Sequence, residues 1–188
     1  SSVLIVMSII LAILYKINFS ELLDAFADGI KKIDNVVFEN NIATQGGAIY
    51  VESGSLTIDG AILSNNKVNS ASDNAYGGAI AVTSAIVEII SGDISDNAVI
   101  SAVGTASGGA ISAINSNVEI VGATFKNNIA QTSNAEKLTY GGAIFVDLKS
   151  LLTIEKSNIE GAQEIEFSNN TANYGGAIYY SSTNHQLE

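Results

Sequence analysis

The tetrapeptide Gly77-Gly78-Ala79-Ile80 occurs once earlier, as Gly46-Gly47-Ala48-Ile49, and three times later, as Gly108-Gly109-Ala110-Ile111, Gly141-Gly142-Ala143-Ile144 and Gly175-Gly176-Ala177-Ile178. Successive copies are 31, 31, 33 and 34 residues apart, which chance does not produce. A period of this length marks a stacked repeat, in which each unit buries its apolar face only against its neighbours. A second motif travels with the first, an apolar residue followed three positions later by asparagine. It occurs as Phe38 to Asn41, Leu63 to Asn66, Ile94 to Asn97, Phe125 to Asn128 and Phe167 to Asn170. Because one such motif precedes the first glycine pair, the array starts with a half coil and ends with another.

Aligned copies alternate apolar and polar residues with period two, the pattern of strands with one buried face. Ile49, Ile80, Ile111, Ile144 and Ile178 form one inward column, and Val51, Val82, Ala113, Val146 and Tyr180 the next. A second strand carries Leu56/Ile58, Val87/Ile89, Val118/Ile120 and Leu152/Ile154, and a third carries the apolar residue of the asparagine motif. Three short strands per turn predict an all-β chain, a right-handed parallel β-helix of about five rungs over residues 34–182. The glycine pairs suit a corner that needs positive φ and close backbone approach. The asparagines suit a stacked turn whose side chains donate and accept along the ladder.

Composition narrows the functional classes. Eight Lys, no Arg and 19 acidic residues give a net charge of −11, which excludes nucleic acid as a partner, since phosphate binding needs clustered cations. With no Cys there is no disulfide and no thiolate metal site, and no cofactor is expected. The single His185 lies in the polar tail, residues 183–188, so no His-assisted nucleophile can form inside the array. Asp59, Asp93, Asp96 and Asp147 fall at turns or on scattered faces and nominate no catalytic carboxylate pair. The expectation is a chain with no catalytic residues, and a polysaccharide lyase or hydrolase is the weakest of three readings.

The paired Gly-Gly-Ala-Ile and Phe-x-x-Asn motifs resemble the repeats of the chlamydial polymorphic outer-membrane proteins and related adhesin-like proteins. The resemblance covers about Asp34 to Tyr180 and implies a right-handed β-helix with an adhesive role at the cell surface. Within these 188 residues no stretch is expected to form the C-terminal membrane barrel of that family.

Residues 1–33 differ from the repeats. Val3, Leu4, Ile5, Val6, Met7, Ile9, Ile10, Leu11, Ile13, Leu14 and Tyr15 make a run that is apolar all round, and Phe19, Leu22, Leu23, Phe26, Ile30 and Ile33 continue it at helical spacing. One long N-terminal α-helix is predicted, its second half capping the solenoid's open end. Thirteen apolar residues, about 20 Å of helix, are short for a bilayer span. The profile resembles the N-terminal helix of type IV pilin-like subunits, which implies assembly into a homopolymer. Two readings lead: a subunit of a pilus-like extracellular filament, joined through this helix, and a membrane-tethered surface adhesin that binds a cell-surface or carbohydrate ligand.

Three places on the array invite a ligand. The connections Lys67 to Tyr76, Ala98 to Ser107 and Ile129 to Tyr140 are long and are expected to project together as a ridge of loops. Glu88 and Glu119 occupy equivalent outward positions in adjacent turns, a candidate cation pair weighed against a solvated, mildly repulsive one. The column Tyr50, Ala81, Ser112, Phe145, Tyr179 is read as outward, with aromatics at its ends suited to stacking on a sugar or another subunit.

Overall fold

The computed structural model describes residues 32–147, 149–158 and 161–181. The apolar helix expected from Val3 to Tyr15, the pilin-like assembly element and the polar tail with His185 lie outside the described residues. Those described are all β, with no helix among them.

The chain winds as a parallel β-solenoid of about four turns. Its largest sheet stacks Lys32–Asp34, Ile49–Asp59, Ile80–Ile89, Ile111–Ile114, Ile144–Val146 and Ile178–Tyr180 in that order. All the pairings are parallel, and the register follows the repeat: Ile49 opposes Ile80, then Ile111, Ile144 and Ile178. Five tetrapeptides therefore bound four complete turns, not five rungs, because a turn is the interval between two copies. A second sheet of five strands carries the Phe-x-x-Asn segments, from Val37–Glu39 through Ala61–Ser64, Gly92–Ser95 and Thr124–Lys126 to Glu166–Ser168. Between these sheets lies a continuous core of stacked like residues, in which Ile58, Leu63, Ile80, Ile94, Ile111 and Phe125 are fully buried. Stacking equivalent positions turn on turn sets apolar against apolar, with Ile on Ile along one column and Phe38, Leu63, Ile94 and Phe125 on one another along a second.

Three findings differ from the sequence expectations. Lys32 and Ile33, placed in the helix, are strand: Lys32–Asp34 pairs with Thr57, Ile58 and Asp59, and Ile33 packs on the core. The alternation of Lys32, Ile33 and Asp34 fits a strand as well as a helix end, and an open main-sheet edge decides between them. The ridge of loops is in fact a built lobe. Lys67–Ser70, Ala98–Ser101 and Ile129–Thr132 form one small parallel sheet with Ile42–Ala43, and Ala75–Tyr76, Ala106–Ser107 and Thr139–Tyr140 form another. Val68, Val99 and Ala130 meet Ala75 and Ala106 between these sheets in a second core of their own. Finally, the column read as outward is covered in its middle: Ala81 is 3 % and Ser112 1 % exposed, while Tyr50 at its end is 46 % exposed. The lobe lies over that part of the main sheet.

Candidate functional site

The ladder residues do structural work at the corners. Gly77 sits at φ +61, and a Cβ there would strike the carbonyl of Ile80; a Cβ on Gly78 would strike the Gly109 carbonyl one turn on. Gly46, Gly108, Gly141 and Gly175 also have positive φ, and the second glycines Gly47, Gly109 and Gly142 face the next turn's carbonyl as Gly78 does. Gly176, in the last copy, has only a looser approach to Asn170. Beside them runs an asparagine ladder. The Asn97 carboxamide oxygen accepts from the Asn66 backbone N–H at 2.9 Å and its Nδ2 at 3.1 Å. The Asn97 Nδ2 in turn donates to the Leu63 carbonyl at 2.9 Å and to Asn128 Oδ1 at 3.0 Å. Asn41, Asn66, Asn128 and Asn170 continue the chain of bonds. The amides of Asn66, Asn97, Asn128 and Asn170 each reach back to the carbonyl of the apolar residue that opens the preceding motif, as Asn128 does to Ile94.

Glu88 and Glu119 are in register on adjacent strands, with Thr57 and Thr153 on either side. The Thr57 hydroxyl donates to Glu88 Oε2 at 3.2 Å. Among the described residues no group of three His, Cys, Asp or Glu side chains comes together to hold a metal.

The concave feature is a groove of about 340 Å³ between the lobe and the C-terminal half of the main sheet. The lobe supplies Tyr76, Thr105, Ser107 and Tyr140; the main sheet and the residues just past it supply Phe145, Asp147, Tyr179 and Ser181. Stacked repeats place the aromatics. Phe145 and Tyr179 are register partners, with rings parallel and centroids 5.8 Å apart. Tyr140 leans on Tyr179 at 4.8 Å and stacks on Tyr174 at 5.6 Å. Beside Phe145 in the same column, the Ser112 hydroxyl is buried and has no hydrogen-bond partner, a state that costs about 1–3 kcal/mol in a protein interior.

Asp147 sits at the rim with one oxygen anchored. Oδ1 accepts from the Ser150 hydroxyl at 2.6 Å, the Asn115 N–H at 3.0 Å and the Lys149 N–H at 3.2 Å. Oδ2 meets no donor among the described residues. The groove thus offers aromatic faces, several hydroxyls and a fixed carboxylate with one oxygen open. Sequence reading had Phe145 and Tyr179 in one column and Tyr76, Ser107 and Tyr140 within the long connections, but did not bring the two together, and it took Asp147 as one of several scattered carboxylates. The available signal was that Tyr76, Tyr140 and Tyr174 each directly precede a glycine pair.

With this geometry in place, the family comparison is informative. Residues 35–52 and 164–181 match the Chlamydia polymorphic membrane protein repeat. The two matches fall at the two ends of the solenoid. No curated protein and no solved structure matches the chain. The spacing of the two motifs explains why the matches fall at the ends. From the asparagine to the glycine pair is five positions in the first and last copies (41 to 46, 170 to 175), but 11, 11 and 13 in the three between. The extra residues are the strands of the lobe. The groove is therefore walled on one side by what the middle repeats add to the matched unit.

Proposed function

We propose that this chain is a non-enzymatic, adhesin-like protein of the cell surface, a β-solenoid that presents its lobe and groove to a ligand on another surface. The observation that carries the reading is the polymorphic membrane protein repeat at residues 35–52 and 164–181, set in a body whose repeated positions are occupied by structural Ile, Gly and Asn. The long side of the solenoid is regular and self-satisfied; the lobe is where it departs from the repeat, and departures concentrated on one face of an array make the binding face. The apolar run Val3 to Tyr15 serves as the attachment element. Among the described residues no helix is long and apolar enough to cross a membrane.

The test is adhesion. Beads coated with the full chain should bind cultured animal cells well above albumin-coated beads, and soluble chain should compete. Equal binding by both bead types ends the adhesin reading. The filament reading rests on the same apolar run, through which copies would join as a homopolymer. Electron microscopy separates it: polymers that disappear on deletion of residues 1–18 favour the filament, and single particles that need detergent favour the tethered adhesin.

A further inference from the structure

We infer that the groove between the lobe and the main sheet is a binding site for an uncharged oligosaccharide. The inference deepens the adhesin reading and rests on it for its biological setting, though its chemistry is argued from the groove alone.

Sugar rings present a face of C–H bonds and an edge of vicinal hydroxyls, and a site for them needs a flat apolar surface next to fixed acceptors and donors. The groove has both. Phe145 and Tyr179 lie parallel at 5.8 Å with Tyr140 tilted across them at 4.8 Å from Tyr179, so ring face and ring edge are presented together. Asp147 supplies the acceptor: its Oδ1 is held by three donors, which fixes the carboxylate, and Oδ2 is left for a ligand's hydroxyl. A pre-set carboxylate loses little entropy on binding, which is how a shallow groove gains useful affinity. Charge selects the class of sugar. The groove is lined by one carboxylate and no Lys, on a chain of net charge −11, so sialylated, sulfated or uronic acid-containing glycans are repelled and neutral ones are not.

The test uses the full chain on an array of neutral oligosaccharides (glucose, galactose, mannose and N-acetylglucosamine types) printed beside their sialylated and sulfated forms. Affinity for any hit is then measured by tyrosine fluorescence, which is uncomplicated because the chain has no Trp. The expected result is binding confined to neutral glycans, weakened at least tenfold by Tyr140→Ala and by Asp147→Asn, and unchanged by Tyr50→Ala at the far, exposed end of the same column. Asp147→Asn keeps shape and the anchored oxygen but replaces the open acceptor with a donor, so it reads out the site even if Tyr140→Ala fails to fold. Binding to no neutral glycan, a preference for the anionic forms, or affinity indifferent to Asp147→Asn overturns the inference. The bead assay keeps the two proposals apart: adhesion that survives both Asp147→Asn and excess neutral glycan leaves the adhesin standing and removes the glycan groove, whereas glycan binding without adhesion does the reverse.

Discussion

Each asparagine of the ladder makes bonds that no other residue of its size can make at once. At Asn97 the carboxamide accepts two hydrogen bonds from Asn66 and donates to Leu63 and Asn128, all in a fully buried site. Asn97→Ala strands a buried carbonyl and several polar partners, and at about 1–3 kcal/mol for each buried group left unsatisfied it should cost roughly 3–5 kcal/mol in urea unfolding. Asn97→Asp is a sharper probe. It accepts from Asn66 but, ionised, donates nothing, and burial pushes its carboxyl pKa up. A folded pKa raised above the unfolded one gives stability that is fully present below the unfolded value and lost as pH rises through the folded value. That variant should therefore be closer to wild type near pH 4 than at pH 8, and a difference between the two proteins that does not vary with pH would contradict the ladder's role. At the glycines, position decides the outcome. Gly78→Ala puts a methyl into the Gly109 carbonyl and should prevent the turn from stacking, while Gly54→Ala, at φ +88 with open space around it, should cost only the left-handed backbone penalty of about 1–2 kcal/mol.

The lobe and the first strand show where the elements were legible and where they were not. Ile49 to Val51 and Leu56 to Ile58 alternate over several residues, repeat in five and four copies and face a large core, so periodicity reveals them. The lobe strands are two to four residues long, and none adds more than one side chain, such as Val68, Val99 or Ala106, to the buried lobe core. Two residues cannot show a period, and only stacking turn on turn makes them strands; the groove was hidden for the same reason, since half its wall is lobe. Val99→Ala removes two buried methyl-equivalents from that small core and should cost about 1–2.5 kcal/mol, loosening amide exchange in Ala98–Ser101 more than in Ile80–Ile89. The strand Lys32–Asp34 is held differently. Asp59 is kept below the ordinary carboxyl range by the Ser91 hydroxyl and then by Lys32, whose ammonium lies 3.2 Å away. Lys32 is raised by its bond to Asp59 and the charge of Asp34. A lowered folded pKa gives stability present above the unfolded value and lost as pH falls through the folded one; the raised lysine's share is lost above its usual 10.5. Amide protection at Ile33 should hold across neutral pH, drop below about pH 4 as Asp59 protonates, and become indifferent to acid in Asp59→Asn.

At the scale of the molecule, stability is largely a sum of turns and the interfaces between them, since the strands pair turn on turn; the Gln163 side chain, bonded to both backbone groups of Gly92, reaches past the adjacent turn. Length is then adjustable, and the number of turns is not what holds the fold together. Asn66 and Asn97 are equivalent positions, each with its Oδ1 accepting from the asparagine one turn before, and each followed by a strand in the same sheet. Deleting residues 67–97 joins Asn66 to Ala98 and removes one complete 31-residue turn with every register intact. The groove loses Tyr76 from the lobe, and the column beside it loses Ala81 but keeps Ser112, Phe145 and Tyr179, so the main-sheet wall survives. The shortened chain should retain its β circular dichroism and unfold in one step, with a urea m-value lower by roughly a fifth, because m follows the surface exposed on unfolding. Its midpoint should also fall, since one turn–turn interface is gone while the entropy cost of starting the stack is unchanged. An unfolded product would show that the turns are not interchangeable; an m-value equal to that of the full chain would show that the removed turn had not been part of the cooperative body.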